Sequence, residues 1–324
     1  MKAFVNPKYG GPEVLELRHV PKPVPTDHEV LVKVKAASIN SWDWDYLRGD
    51  IYIFRLIFGL FKPKHPILGS DISGTVEAIG KNVKRIKIGD EVYGDVSAYN
   101  WGGFAEYAAS HENAWALKPK NLSFEEAAAI PQAAVLALQA LRWNGDLKAG
   151  QKVLINGAGG GVGTFGIQIA KLAGVEVTVV DGPEKLQSLI DLGADHVIDY
   201  TKEDFSRLGK KYDLIIDNVA RRTTSDYQRA LNNGGAFVMV GGSLLLMMKV
   251  ALFGKWISKR GKRIVGILAH KPNVEDLNYL ATLTETGKLK PIVDSIYPLE
   301  ELPEAFRHYA NGPFIGKVVI RGND

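Results

Sequence analysis

Between the apolar run Val153-Leu154-Ile155 and a helical pattern from Thr164 to Leu172 lies Gly157-Ala158-Gly159-Gly160-Gly161-Val162-Gly163, a stretch few folds can use. A short buried strand that turns on glycines into a helix leaves backbone N–H groups pointing at whatever sits above the turn, and the positive end of the helix dipole favours an anion there. Positions without side chains let a pyrophosphate touch the main chain. Gly157, Gly160 and Gly163 give G-x-x-G-x-x-G, one residue longer than the usual dinucleotide fingerprint. The surroundings complete a βαβ unit: Phe165, Ile169 and Leu172 recur at helical spacing, Gly174 ends the helix, and Val175, Val177 and Val179 alternate until Asp181. Asp181 falls about 20 residues past the glycines, where an acid that binds adenosine ribose hydroxyls is expected. A glycine-rich turn beside a solvated aspartate is the plain alternative, and the complete unit favours the phosphate cradle.

The chain has 324 residues, which predicts about two domains. A net charge of +4, spread along the sequence, gives no case for nucleic acid. With no cysteine, the chain can have no disulfide, no thiolate zinc site and no cysteine nucleophile. The opening residues lack a basic-then-apolar signal peptide and no apolar run reaches about 18 residues, so a cytoplasmic protein is expected.

Residues 1 to about 120 read as β-rich, with alternation at Glu29–Lys35 and Gly74–Gly80 and punctuation by glycine and proline. A helix begins at Ser123, with Glu126 as the other half of a capping box, and runs towards Trp143. From Gln151 onward strands (153–156, 175–180, 195–199, 212–217, 236–240, 263–268) alternate with helices (164–173, 184–192, 223–232). Such alternation predicts an α/β fold, a doubly wound parallel Rossmann sheet with helices on both faces. Helices near 274–286 and 299–310 and a closing strand at 317–320 follow, and that strand is expected to rejoin the first domain. The expected division is 1–122 with 273–324, and 123–272.

Several blocks together resemble one family over nearly the whole chain. They are Asn40-Ser41-Trp42-Asp43 with Arg48-Gly49, His65 to Gly74, Lys87-Ile88-Gly89-Asp90-Glu91-Val92, Gly102 to Tyr107, the glycine run, Leu192 to Tyr200, and Gly287-Lys288-Leu289. The chain is similar to the zinc-independent medium-chain dehydrogenase/reductases, the quinone oxidoreductase-like enzymes. That resemblance implies a GroES-like catalytic domain beside the Rossmann domain, and a homodimer. Zinc-using relatives place a cysteine and a His-Glu pair where this chain has Ser38 and Ser70-Asp71, so no metal is expected. Reduction of a conjugated carbonyl needs no such Lewis acid.

The resemblance implies NAD(P)H-dependent hydride transfer to a quinone or an α,β-unsaturated carbonyl, with Asn40 beside the nicotinamide. Asn40, Tyr46 and Tyr52 are the candidate hydrogen-bonding or proton-donating groups, and packing is an equal alternative for the two tyrosines. Asp43 is read as orienting Arg48 or capping a turn. By position, Gly160, Gly161, Val162 and Gly163 are expected to hold the pyrophosphate, Tyr200 to lie against the adenine, and Val240, Gly241 and Gly242 to enter the nicotinamide pocket. Lys317 matches a position close to the cofactor, against the alternative of a solvated lysine on a terminal strand. Asp181 and Glu184 would repel a 2′-phosphate, so NAD(H) is favoured over NADP(H), with Lys185 the one residue arguing otherwise. Leu136 stands where relatives often carry a threonine, which weakens a hydroxyl relay.

Ile51 to Lys64 and Ser243 to Arg263 are apolar with basic residues scattered through them. A lid or dimer-contact surface is one reading, and peripheral docking on an anionic membrane is the other. Two rivals to the main function stand: an alcohol or carbonyl dehydrogenase of other specificity, and a nucleotide-holding membrane or interaction protein without turnover.

Overall fold

The computed structural model describes residues 1–50, 55–56, 58–261 and 264–322, and it falls into two units, Met1–Ala133 with Pro272–Asp324, and Ala134–Lys271. The first unit opens with strands β1 (Lys2–Val5) and β2 (Glu16–His19), which pair antiparallel. Then come β3 (Glu29–Ser38), β4 (Asp71–Ile79), β5 (Glu91–Asp95), β6 (Tyr107–His111) and β7 (Trp115–Leu117). In β3 the alternating Val30, Val32 and Val34 are buried, as a half-buried strand requires. The register of β3 on β4 sets Ser38 opposite Asp71.

Ser123 caps the next helix, Phe124–Ala128, accepting from the Glu126 N–H (3.1 Å) while Glu126 accepts from the Ser123 N–H (2.9 Å). That helix does not run on to Trp143 as the sequence pattern suggests. It stops before Pro131, and a second helix covers Pro131–Leu141. Proline lacks an N–H and disfavours helical backbone in the residue before it, so it starts a helix more readily than it continues one.

The second unit is built on six parallel strands: β8 (Lys152–Asn156), β9 (Glu176–Asp181), β10 (His196–Asp199), β11 (Tyr212–Asp217), β12 (Leu231–Met239) and β13 (Ile264–Ile267). Their order is β10-β9-β8-β11-β12-β13, so the direction of progression reverses between β8 and β11. In such sheets ligands bind beyond the carboxyl ends of the strands at that reversal. The interior strands Val153–Ile155, Val177–Val180 and Leu214–Ile216 are near-continuous buried aliphatic runs, as expected of a sheet covered on both faces. The apolar basic segment forms a helix, Leu244–Gly261, which the sequence reading left without an element.

The chain returns to the first unit with helix Val274–Glu285, β14 (Val293–Pro298), helix Leu302–Asn311 and β15 (Lys317–Arg321). As expected, β15 rejoins the first domain: it lies antiparallel to β3, with Val319 opposite Ser38, in a sheet ordered β14-β15-β3-β4-β5-β7 with β6 also on β3.

Candidate functional site

In the second unit the three spaced glycines have three different jobs. Gly157, at the end of β8, has φ +71°, a left-handed conformation that turns the chain tightly. Gly160 precedes the helix Gly161–Leu172, and a Cβ added there would meet only the Gly157 oxygen at 3.8 Å. The space above it is open. Gly163 is packed the other way: a Cβ would lie 2.3–2.5 Å from the backbone of Ala158. Tight turn, open approach and close packing are the three demands of a dinucleotide loop, and the longer spacing meets all of them.

Around this loop stand the other candidate residues of the unit. The Asp181 carboxylate accepts the Gly159 N–H (2.6 Å) and the Gly182 N–H (2.8 Å), with the Lys185 ammonium 3.6 Å away. It is therefore bound to the glycine loop as well as standing at the end of β9. Tyr200, after β10, is largely exposed. Val240 and Gly241 follow β12, and their N–H groups donate to the Asp217 carbonyl (2.9 and 3.3 Å). Gly242 has φ +133° and bridges to Ala220. Val162 lies in the first turn of the helix.

Two residues here were missed by the sequence reading. Asn218, just past β11, donates from Nδ2 to the Gly157 carbonyl (3.2 Å), and its buried Oδ1 has no partner among the described residues. Asp217 accepts from Asn156 Nδ2 (2.9 Å) and the Tyr227 hydroxyl (2.8 Å), tying β8 to β11 at the reversal. The signal was available: the runs 153–156, 176–181, 196–199 and 212–217 each end in Asn or Asp. The open face of Gly160, the helix N-terminus and the orphaned Asn218 acceptor fit a dinucleotide.

In the first unit the β15–β3–β4 pairing gathers a buried polar cluster. Asn40 follows β3, Ser70 precedes β4 and Asp71 begins it, and Lys317 begins β15. The Lys317 ammonium donates to Asn40 Oδ1 and lies 3.5 Å from Asp71, while Asn40 Nδ2 donates to Ser70 Oγ (3.1 Å). Lys317 is only 3% exposed, which removes the reading of a solvated lysine. Asp71 also accepts the Gln132 N–H (3.1 and 3.2 Å), and Ser38 donates to the Ala128 carbonyl (2.8 Å). Asp43 accepts from the N–H groups of Asn40 (2.8 Å) and Gly69 (2.9 Å), holding the two motif segments together. It caps the helix Ser41–Arg48 and does not orient Arg48, which pairs with Asp50.

Tyr46 is buried among Tyr9, Phe58, His65 and Trp101. Its hydroxyl donates to the Phe58 carbonyl (3.2 Å) and accepts from the His65 N–H (2.8 Å), so its proton is committed to backbone and packing is the role the geometry gives it. Tyr52 lies outside the described residues.

Comparison with known proteins places this arrangement. Residues 26–120 match the alcohol dehydrogenase GroES-like domain, and residues 192–320 match a family described as zinc-binding dehydrogenase. The chain is 33% identical to the chloroplast envelope quinone oxidoreductase homolog of Arabidopsis thaliana, over 99% of this chain and 98% of that protein. The chain belongs to the quinone oxidoreductase-like medium-chain dehydrogenase/reductases. It is also 35% identical to 2-methylene-furan-3-one reductase of Solanum lycopersicum, over 99% of this chain and 79% of that protein. The solved quinone oxidoreductase of Coxiella burnetii superposes with a TM-score of 0.89 at 32% identity, covering 99% of each chain.

The description of the second matched family names zinc. Among the described residues no group of three or more His, Cys, Asp or Glu side chains could hold a metal ion. The resemblance implies that Ser38, Ser70 and Asp71 take the positions of the zinc-using relatives' ligands, and the Lys317 ammonium lies 3.5 Å from Asp71.

Burial pushes the Asp43 carboxyl up to about 7, against the two N–H groups it accepts. It pushes Asp71 up to about 6, with Lys317 opposing, and pushes Lys317 down, with Asp71 and Asp43 opposing. An acid whose folded value exceeds its unfolded one binds its proton more tightly when folded. Its stabilising contribution is complete below about pH 4 and is lost as pH rises through about 7. The unfolding midpoint of the native chain is therefore expected to fall relative to that of Asp43→Asn between those values. Parallel curves in a pH series of thermal melts would contradict this assignment.

Proposed function

We propose that this chain is an NAD(P)H-dependent reductase of quinones or α,β-unsaturated carbonyls that works without a metal. The observation that carries the reading is the buried Lys317–Asn40–Ser70 arrangement, which offers a fixed cation and amide beside Asp71. The relatives named above as a quinone oxidoreductase homolog and a furanone reductase support the same substrate class.

When bound, the nicotinamide supplies a hydride; everything else is done by the residues of the chain. Gly157, Gly160, Gly161, Val162 and Gly163 hold the pyrophosphate on backbone N–H groups at a helix N-terminus. Val240, Gly241 and Gly242 would hold the nicotinamide end, and Tyr200 would hold the adenine. In the first unit the Asn40 amide has one Nδ2–H on Ser70 and its oxygen under the Lys317 ammonium. Polarised in this way, its second N–H is the stronger donor to the acceptor oxygen on which charge develops. Lys317 thus acts through Asn40.

The finer cofactor choice is NAD(H). Asp181 and the neighbouring Glu184, which sits against Gly182, put two carboxylates beside one lysine at the ribose edge. We also propose a homodimer, supported by the family resemblance, and a cytoplasmic location.

The test is oxidation of NADH and of NADPH with a panel of quinones and enones, with and without a chelator. NADH is expected to give at least about tenfold higher kcat/KM, and chelation is expected to change nothing. A preference of that size for NADPH would overturn the role given to Asp181. Chelator-sensitive turnover would overturn the metal-free reading, and tryptophan quenching by nucleotide with no oxidation at all would leave a binding protein.

A further inference from the structure

The helix Leu244–Gly261 presents two opposite faces. Leu246, Val250 and Ile257 are buried against the second unit's core, while Leu245, Leu252 and Trp256 are 79%, 72% and 61% exposed. The three exposed residues recur at steps of seven and four, so they form one line along a helix about 27 Å long. Exposed Lys249 and Lys259 stand about 40° to either side of that line, with Met248, Lys255 and Phe253 further out. The line is apolar and its borders are cationic.

The sequence sharpens this. From Tyr227 to Val274 the sequence has no Asp or Glu, whereas it has Lys249, Lys255, Lys259, Arg260, Lys262 and Arg263 within fifteen positions. Large exposed apolar strips mark an interface, and the charge says which kind. A second copy docking on this face through a two-fold axis would set the same lysines against one another with no acid in the segment to pair them. An anionic lipid surface meets both demands, with leucine and tryptophan at the acyl boundary and lysines among the phosphates. No helix among the described residues is long and apolar enough to cross a membrane, so the helix would lie on the surface. In the first unit, exposed Leu56, Leu60 and Phe61 beside Lys62 and Lys64 carry the same combination.

We infer that the Leu244–Gly261 face is a reversible docking surface for anionic membranes. The inference stands whether or not the chain reduces quinones. A docked enzyme would meet acceptors that dissolve in lipid, which is where a lipophilic quinone concentrates.

The test is co-sedimentation of the full chain with vesicles of phosphatidylcholine alone and with roughly a quarter phosphatidylglycerol, at low and high salt. Binding is expected only to the anionic vesicles and is expected to be reversed by salt. Lys249→Gln with Lys255→Gln and Lys259→Gln should weaken it about a hundredfold, each lysine near the surface being worth about a factor of five. Leu252→Glu with Trp256→Glu should abolish it, and both variants should keep the native circular dichroism and solution reductase activity. Protein that stays in the supernatant with anionic vesicles at low salt overturns the inference. So does binding that survives in both variants. So, too, does a Leu252→Glu, Trp256→Glu variant that turns a dimer into a monomer in sedimentation velocity without changing lipid binding, which would make the face a contact between copies.

Discussion

Gly160→Val is expected to fold normally and to lose nucleotide affinity by about a hundredfold or more, a difference of roughly 2.7 kcal/mol. The backbone at Gly160 is extended (φ −76°, ψ 173°), a conformation that any residue adopts, and a Cβ there lies 3.8 Å from the Gly157 oxygen, an ordinary contact. It does fill the space in front of the first turn of the helix, where an anion would sit on the N–H groups. Gly163→Val should behave differently, since its Cβ falls within 2.5 Å of Ala158 and something in the loop must move. That variant is expected to lose stability and nucleotide affinity together. Fluorescence titration with NADH beside urea unfolding separates the two, and a Gly160→Val protein with undiminished affinity would refute the cradle.

The second large effect is expected at Lys317. Removing the ammonium in Lys317→Met leaves Asp71 and Asp43 buried without their compensating charge, and breaking a buried pair in this way typically costs about 3–5 kcal/mol. The kinetic signature should be a fall in kcat larger than any rise in KM, because in the proposed function the lysine acts through Asn40, to which it donates. Adding Asp71→Asn to Lys317→Met should restore part of the stability and little of the rate. If the single variant keeps its kcat while losing stability, Lys317 is a structural charge only.

The sequence makes the nucleotide-binding half highly legible because its signals are local. The order of strands, the turn at Gly157 and the polar residue ending each run from Asn156 to Asp217 can be read within a few positions of one another. The polar cluster of the first unit is assembled by pairing across long separations. Lys317 reaches Asn40 only because β15 lies on β3, and nothing near either residue announces the other. Lysine is ordinarily exposed, so its burial here is invisible to composition. Asp71 reads in the sequence only as a departure from a metal-ligand motif, and its place beside the Lys317 ammonium comes from the pairing of strands. The capping box at Ser123 was readable, whereas its extension to Trp143 overlooked what Pro131 does to the preceding turn.

That proline has an effect on electrostatics as well as on shape. In an unbroken helix the amide of Gln132 would be spent on the carbonyl of Ala128 four residues earlier. With the helix restarted at Pro131, the Gln132 N–H is left over and turns to the Asp71 carboxylate, while the Ala128 carbonyl is left over and accepts the Ser38 hydroxyl. One imino acid thus frees a donor and an acceptor together, and both are used to hold Asp71 and Ser38, which face each other across β3 and β4.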